Sequence, residues 1–298
     1  MSPEHSEQRI HHRTRRPTTP LIGASTPGGS LGRMEAVEAT SGWGCLHLFY
    51  EVDVRRVEDE PGGAKRVLDA IAAFTQDPPH QLLTFAVLGH KADLGVMAVG
   101  PDLARLQRLQ HDLRSAPITA TWSYVSLTEA SEYAMTEDDE RARLQSDEGI
   151  TDPAQIEERL ATWRERIVHY REQRLHPQLP QRKTVCFYPM SKRRTGTAEH
   201  GENWYALSFE ARKELMAGHA RVGRSYAGRV VQLITGSTGL DDWEWGVTLF
   251  ADDPAALKEI VYEMRFDPVS AQYGEFGEFV TGLVLDPAEA LRRVGLHE

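Results

Sequence analysis

Apolar and polar positions along the chain change period several times, and the changes mark out elements. From Trp43 the pattern becomes regular. Cys45 to Val52 reads as a strand, and Gly62-Gly63 leads into a helix with Val67, Leu68, Ile71 and Phe74 on one face. Leu82 to Leu88 and Leu94 to Val99 are two more strands. Pro101 opens a helix along which Leu103, Leu106, Leu109 and Leu113 recur, and Thr119 to Leu127 closes the unit as a strand. The order is β-α-β-β-α-β, the ferredoxin-like module.

The same order returns later in the chain. Thr184 to Tyr188 is a strand that Pro189 is expected to stop, because proline cannot donate to a sheet ladder. Ser208 caps a helix running to about Val222, and Arg229 to Thr235 and Trp243 to Phe250 are paired strands. Asp253-Pro254 opens a helix with Leu257, Ile260, Val261 and Met264 on its buried face, and Phe276 to Val284 is the last strand. The fold class expected is therefore α+β. Two ferredoxin-like βαββαβ repeats, residues 41–128 and 183–290, join face to face as a dimeric α/β-barrel-type subunit. A roomy interior between the sheets is the expected place for a bulky apolar ligand.

Other stretches differ in character. Residues 1–40 are rich in Pro, Gly, Ser, Thr, His and Arg, and are expected to be a disordered extension. Residues 129–182 mix acids with arginine, and Ile156, Leu160, Trp163 and Ile167 repeat at helical spacing. This is a helical connecting segment, ended by His176-Pro177 and Leu179-Pro180. Residues 291–298 form a C-terminal tail.

Composition narrows the function by exclusion. A formal net charge of -10 argues against nucleic acid as a partner, since phosphate backbones demand a basic footprint. The two cysteines, Cys45 and Cys186, lie in apolar runs without metal-ligand spacing, as expected for a cytoplasmic protein. No apolar stretch approaches the roughly 20 residues that membrane insertion as a spanning helix requires. Walker A, dinucleotide and nucleophile-elbow spacings are missing, and no His-x-x-x-His pair suggests zinc.

A few residues could carry chemistry. His219 shares a helical face with Ala211, Leu215, Gly218 and Val222, so its ring points toward the expected core. It is either a core histidine satisfied by one hydrogen bond or an axial ligand to haem iron. Gln232 shares a strand face with Val230 and Ile234, and is either a buried structural amide or a ligand contact. Tyr188 is followed by Lys192, Arg193 and Arg194. That is either a rim aromatic before a solvated basic turn or a phenol held beside an anionic ligand.

Longer runs carry a resemblance. Cys186-Phe-Tyr-Pro-Met-Ser-Lys-Arg-Arg194, Leu215-Met-Ala-Gly-His219, Tyr226-Ala-Gly228, Gln232 to Asp253, Val261 to Asp267 and Tyr273 to Gly277 resemble the chlorite dismutase superfamily. They resemble its coproheme decarboxylase branch more closely, as found in Gram-positive bacteria and actinobacteria. The resemblance implies a homopentamer with a porphyrin in the C-terminal half. It also implies the last step of the coproporphyrin-dependent haem pathway. There, iron coproporphyrin III (coproheme) loses two propionates as carbon dioxide and becomes haem b, with hydrogen peroxide as oxidant. A transient contact with the upstream coproporphyrin ferrochelatase goes with that role.

Carried over residue by residue, the resemblance makes His219 the proximal iron ligand and Tyr188 the catalytic tyrosine, with Lys192 near the reacting propionate. Arg174, Met190, Trp204 and Ser270 would line the pocket or hold propionates. The distal base would be His176, with His169 and water held by Gln232 as alternatives. Gln232 stands where the chlorite-degrading branch carries an arginine, which argues against chlorite dismutation. A haem peroxidase or chlorite-degrading enzyme, and a non-catalytic porphyrin carrier or sensor, are the competing readings.

Overall fold

The computed structural model describes residues 35–195 and 203–297. Strands among them are β1 (Gly44–Val52), β2 (Gln81–Val87), β3 (Leu94–Gly100), β4 (Ile118–Thr128), β5 (Thr184–Lys192), β6 (Val230–Gly236), β7 (Trp245–Ala251), β8 (Gly274–Phe276) and β9 (Val280–Leu285). Helices are α1 (Val54–Asp59), α2 (Gly63–Thr75), α3 (Leu103–Leu113), α4 (Glu137–Ser146), α5 (Pro153–Leu175), α6 (Phe209–Ser225), α7 (Pro254–Met264), α8 (Pro268–Tyr273) and α9 (Pro287–Arg293). None of these helices is long and apolar enough to cross a membrane.

Both repeats form, and every strand pairing is antiparallel. The first half orders its strands β4-β1-β3-β2 and the second β6-β7-β5-β9. Pairing of β4 with β6 (Leu127↔Gly236, Thr128↔Thr235) and of β2 with β9 (Thr84↔Leu285 to Val87↔Gly282) closes the eight strands into a barrel. Closure removes the sheet edges that would otherwise recruit other chains.

The barrel interior is filled, and this corrects the expectation of a roomy cavity there. Phe49, Phe85, Met97, Tyr124, Phe187, Leu233 and Phe250 pack inside it. A barrel of about eight strands is just wide enough for its own side chains. Gly246 shows how tight the fit is, because a Cβ there would lie 2.9 Å from the Tyr124 ring and 3.2 Å from the Phe187 ring. The interior also takes His47, whose Nε2 lies 3.0 Å from Thr248 Oγ1 and whose ring stacks on Phe187 at 4.0 Å. Burial pulls the His47 pKa down to about 3. The space for a ligand must lie outside the barrel, under the helices.

Several boundaries differ from the sequence reading. β5 runs through Pro189 to Lys192 rather than stopping there. Its partner β9 ends at Phe187↔Val280 and β8 begins at Met190↔Phe276, so Pro189 falls in a gap between them. Proline is tolerated where its missing N–H has no strand to serve, and its carbonyl still accepts from Gly277 N at 2.9 Å. The expected disordered extension lies outside the described residues up to residue 34. Val37 is held in place, because its carbonyl accepts from Leu103 N and its amide donates to Asp102 Oδ1. A helix crosses the expected boundary between repeat and tail: α9 buries Ala290 and Leu291 against the first half's core together with Leu296.

Candidate functional site

Side chains alternate across a strand, so with Phe187 inside the barrel, Cys186, Tyr188, Met190 and Lys192 face out. Val247 and Leu249 of β7 and Ile234 of β6 share that outer face. Registers set them in rows: Cys186–Leu249–Gln232, Tyr188–Val247–Ile234 and Met190–Trp245–Gly236. At the usual strand spacing, β5 to β6 spans about 10 Å, wide enough to floor a large flat ligand. Helices α6 and α7 lie over this face.

Tyr188 is 8% exposed. Its ring stacks on Phe279 at 4.2 Å and meets the edge of Phe276 at 6.0 Å. Arg265 lies 4.6 Å above the Phe276 ring. Burial raises the phenol's pKa, with the charge of Arg265 opposing it, so the group keeps its proton at neutral pH. Beside it is a cavity of about 410 Å³ lined by Cys186, Leu257, Val261, Arg265, Phe279 and Thr281, among others.

Ser208 caps α6 by accepting from Ala211 N at 3.2 Å. The helix then carries His219 over the sheet. His219 Nδ1 is 2.8 Å from Asp267 Oδ2, and the same oxygen accepts from Ser270 N at 3.2 Å, which caps α8. A carboxylate only accepts, so Nδ1 holds the ring proton and Nε2 keeps its lone pair. Burial lowers the pKa of His219 most, Asp267 raises it and Lys192 lowers it; the net shift is downward, which favours the neutral imidazole. A Cβ on Gly218 would meet nothing within 4 Å, so there is open space beside the histidine. Gly223 is different. A Cβ there would lie 3.2 Å from Gln232 Nε2, which reaches up to the Gly223 carbonyl at 3.5 Å.

Lys192 joins the His219 group. It is 6% exposed, with Nζ 4.9 Å above the ring of Trp204 and its backbone N–H donating to Glu244 Oε2 at 2.7 Å. Burial brings its pKa down to about 8, against the pull of Asp267 and Glu244. Arg193 lies 3.9 Å from Glu275, and Arg194 lies 3.6 Å from Glu244. The three cations after Tyr188 thus each lie near a carboxylate; Lys192 is buried, whereas the Arg194 side chain stays 65% exposed. Trp204 is buried at 2%, and Tyr273 meets it edge-on at 5.3 Å. Ser270 is buried beside Asp267.

The remaining candidates come from α5. Arg174 donates from Nη2 to the Ile234 carbonyl at 3.4 Å, and so reaches the β6 edge of the site. His176 Nδ1 is 2.5 Å from Glu172 Oε1, and its ring is 5.0 Å from Trp43. His169 pairs with Gln173 at 2.8 Å. These contacts hold neither histidine against the β5–β7 face. The cause is local: α5 ends at Leu175 with His176 as its cap, and the Pro177 carbonyl accepts from Gln81 Nε2, which draws the chain toward the first half. Sequence reasoning missed Asp267, Arg265 and Phe279. Asp267 had a readable signal, since Asp267-Pro268 repeats the helix-opening pattern of Asp152-Pro153 and Asp253-Pro254.

The site has the donor chemistry for an iron macrocycle and not for a bare ion. Among the described residues no group of three or more His, Cys, Asp or Glu could hold a metal. A single neutral imidazole backed by a carboxylate is instead the usual axial arrangement for iron whose other positions are filled by a porphyrin. Fold and site together define a two-repeat barrel whose second half carries, outside the barrel, a carboxylate-backed imidazole and a buried phenol. The sequence matches the chlorite dismutase family over residues 63–285, and the chain belongs to that family.

Relatives sharpen the comparison. A coproheme decarboxylase of Staphylococcus carnosus (strain TM300) is 40% identical over 269 residues, which cover 86% of this chain and 97% of that protein. The structure of a heme-binding protein from Thermus thermophilus is 34% identical, with a TM-score of 0.68, covering 88% of this chain and 100% of its own. A variant of chlorite dismutase from Candidatus Nitrospira defluvii shares the fold, with a TM-score of 0.63 at 17% identity and coverage of 86% and 96%.

Proposed function

We propose that this protein is a coproheme decarboxylase, converting iron coproporphyrin III to haem b with hydrogen peroxide as oxidant. The observation that carries the reading is that one outer face of the barrel holds both a neutral, carboxylate-backed imidazole, His219, and a buried phenol, Tyr188. A porphyrin carrier has no need of the second group.

The iron porphyrin, as substrate, supplies the oxidising chemistry with peroxide. For each propionate lost, one peroxide takes up the two electrons released and leaves as water. The carboxyl carbon departs as carbon dioxide, and a vinyl group remains. His219 offers Nε2 to the iron, while Asp267 holds the Nδ1 proton and the ring's orientation. Tyr188 gives up its hydrogen atom and takes one from the propionate β-carbon. Its raised pKa suits this, because proton loss alone is disfavoured and proton and electron leave together. Met190, Trp204, Ser270 and Arg174 frame the slot, and Lys192 is the cation that the outer face of β5 adds to it. Gln232 can orient a water but cannot act as base, so proton movement at the peroxide falls to water in this pocket. We assign the protein to the cytoplasm, as a homopentamer that receives coproheme from the upstream ferrochelatase.

The test is to load purified protein with coproheme, titrate peroxide and follow product masses. Stepwise loss of two carboxyl groups is the expected result. Porphyrin that keeps all four carboxyls after peroxide is consumed contradicts the reading.

A further inference from the structure

Glu129 follows the last residue of β4, and its carboxyl folds onto the outer face of the second half's sheet. Oε1 accepts from Trp245 Nε1 at 3.1 Å. A Cβ built on Gly236 would fall 2.2 Å from Oε2, so the carboxyl fills the place of a side chain at 236. Gly236 and Trp245 pair with each other, and Trp245 pairs with Met190. The carboxyl therefore covers the row next to the one that holds Tyr188.

The charges acting on Glu129 are Arg174 from α5 and Glu132 from the segment after β4. Arg174 is poorly satisfied. Its Nη2 makes a long bond of 3.4 Å to the Ile234 carbonyl, and its Nε is buried with no hydrogen-bond partner. A guanidinium with a buried, unpaired N–H is matched by the planar, two-oxygen acceptor of a carboxylate. Glu129 supplies negative charge nearby while directing one oxygen to Trp245 instead. Burial raises the pKa of Glu129, so a further anion brought to Arg174 would favour its protonated form still more.

We propose that Glu129 is the internal counter-anion of Arg174, and that a carboxylate of the bound tetrapyrrole replaces it in that role, with transfer of a solvent proton onto Glu129 as the ligand docks. The inference rests on the coproheme reading. The step is an acid–base exchange: one proton leaves solvent, one O–H bond forms on Glu129, and no electrons are transferred. Protonated Glu129 can keep its bond from Trp245 through the carbonyl oxygen while no longer repelling the incoming carboxylate. Glu129 thereby makes ligand capture dependent on pH.

The test is calorimetric titration of coproheme into the protein, in two buffers of different ionisation heat and across pH 6 to 8. The wild type is expected to take up about one proton more than E129Q, and its affinity to fall up to about tenfold more per pH unit. E129Q should bind at least as tightly as wild type at high pH. Should E129Q fail to fold, E129D serves instead, with uptake retained and the midpoint of the pH dependence moved. Equal proton uptake and equal pH slopes in wild type and E129Q, or an unmoved midpoint in E129D, overturn the inference. Failure of the wild type to bind coproheme at all instead overturns the functional reading on which it rests.

Discussion

The two halves share one topology, yet their first helices are used differently. In the first half α2 buries Gly63, Ala64, Val67, Ala70, Ile71 and Phe74, and α3 adds Leu106, Leu109 and Leu113. In the second half α6, which holds the position of α2, buries none of its residues, while α7 still buries Ala256, Leu257 and Ile260. The outer sheet face remains apolar, with Val230, Val247 and Leu249 packed together with Ala256, Leu257 and Ile260 of α7. One copy of the module thus spends its helix face on core packing. The other holds its helix off the sheet and places His219 and Gly218 there.

Two histidines repeat the contrast. His47 lies inside the barrel, stacked on Phe187 and bonded to a hydroxyl, with both sides of its ring covered by protein. His219 is backed by a carboxylate on one nitrogen only, and its side chain is 29% exposed. Burial keeps both neutral. Of the two, His219 is the one whose side chain stays partly exposed. Chemistry in this fold comes from incomplete packing at one place, and not from the residue type.

The largest effect expected concerns that place. His219→Ala should change the optical spectrum of bound coproheme and lower product formation by more than the roughly 10–100-fold typical of losing a supporting residue; an unaltered spectrum would remove the iron ligand from the account. Val67→Ala, in α2, should cost about 2–3 kcal/mol of stability while coproheme affinity stays at the wild-type value, read by urea unfolding and by titration. Asp267→Asn should weaken iron ligation by about 10–100-fold without unfolding the protein. Coproheme affinity equal to wild type would show that the carboxylate only caps α8.

Protonation separates the histidines further. Folded His47 binds no proton until pH nears 3, whereas the unfolded chain protonates it below about 6.5. Its contribution to stability is therefore full above pH 6.5 and falls as pH drops through that window, by up to roughly 1.4 kcal/mol per pH unit. H47L should flatten the dependence of unfolding free energy on pH between 6 and 4; an unchanged slope would mean that other groups set it. The smallest effect belongs to Val222→Ala on α6, under about 1 kcal/mol in the ligand-free protein. A loss matching that of Val67→Ala would erase the difference between the helices.

Much of this was legible along the chain. Period-two and helical spacing give both repeats, because the strands and helices bury one face each, and the helical face of α6 singles out His219. Other features depend on contacts remote in sequence. Pro189 reads as a strand terminator, and only the gap between β8 and β9 makes it harmless. Lys192 to Arg194 read as an exposed basic turn, and only the fold brings Asp267, Glu244 and Glu275 to them. His176 next to a proline reads as a residue near the β5 strand, yet the Pro177–Gln81 bond carries it toward Trp43. Glu129 gives no signal, since its role depends on the glycine at 236 and the arginine at 174.

The most direct test of the central claim is a crystal structure of Tyr188→Phe loaded with coproheme, since that variant should bind the porphyrin and leave its propionates intact. The account predicts iron bonded to His219 Nε2, the macrocycle between α6 and the β5–β7 face, and a propionate against residue 188. Iron on any other ligand, or a macrocycle whose propionates all lie away from residue 188, would contradict it.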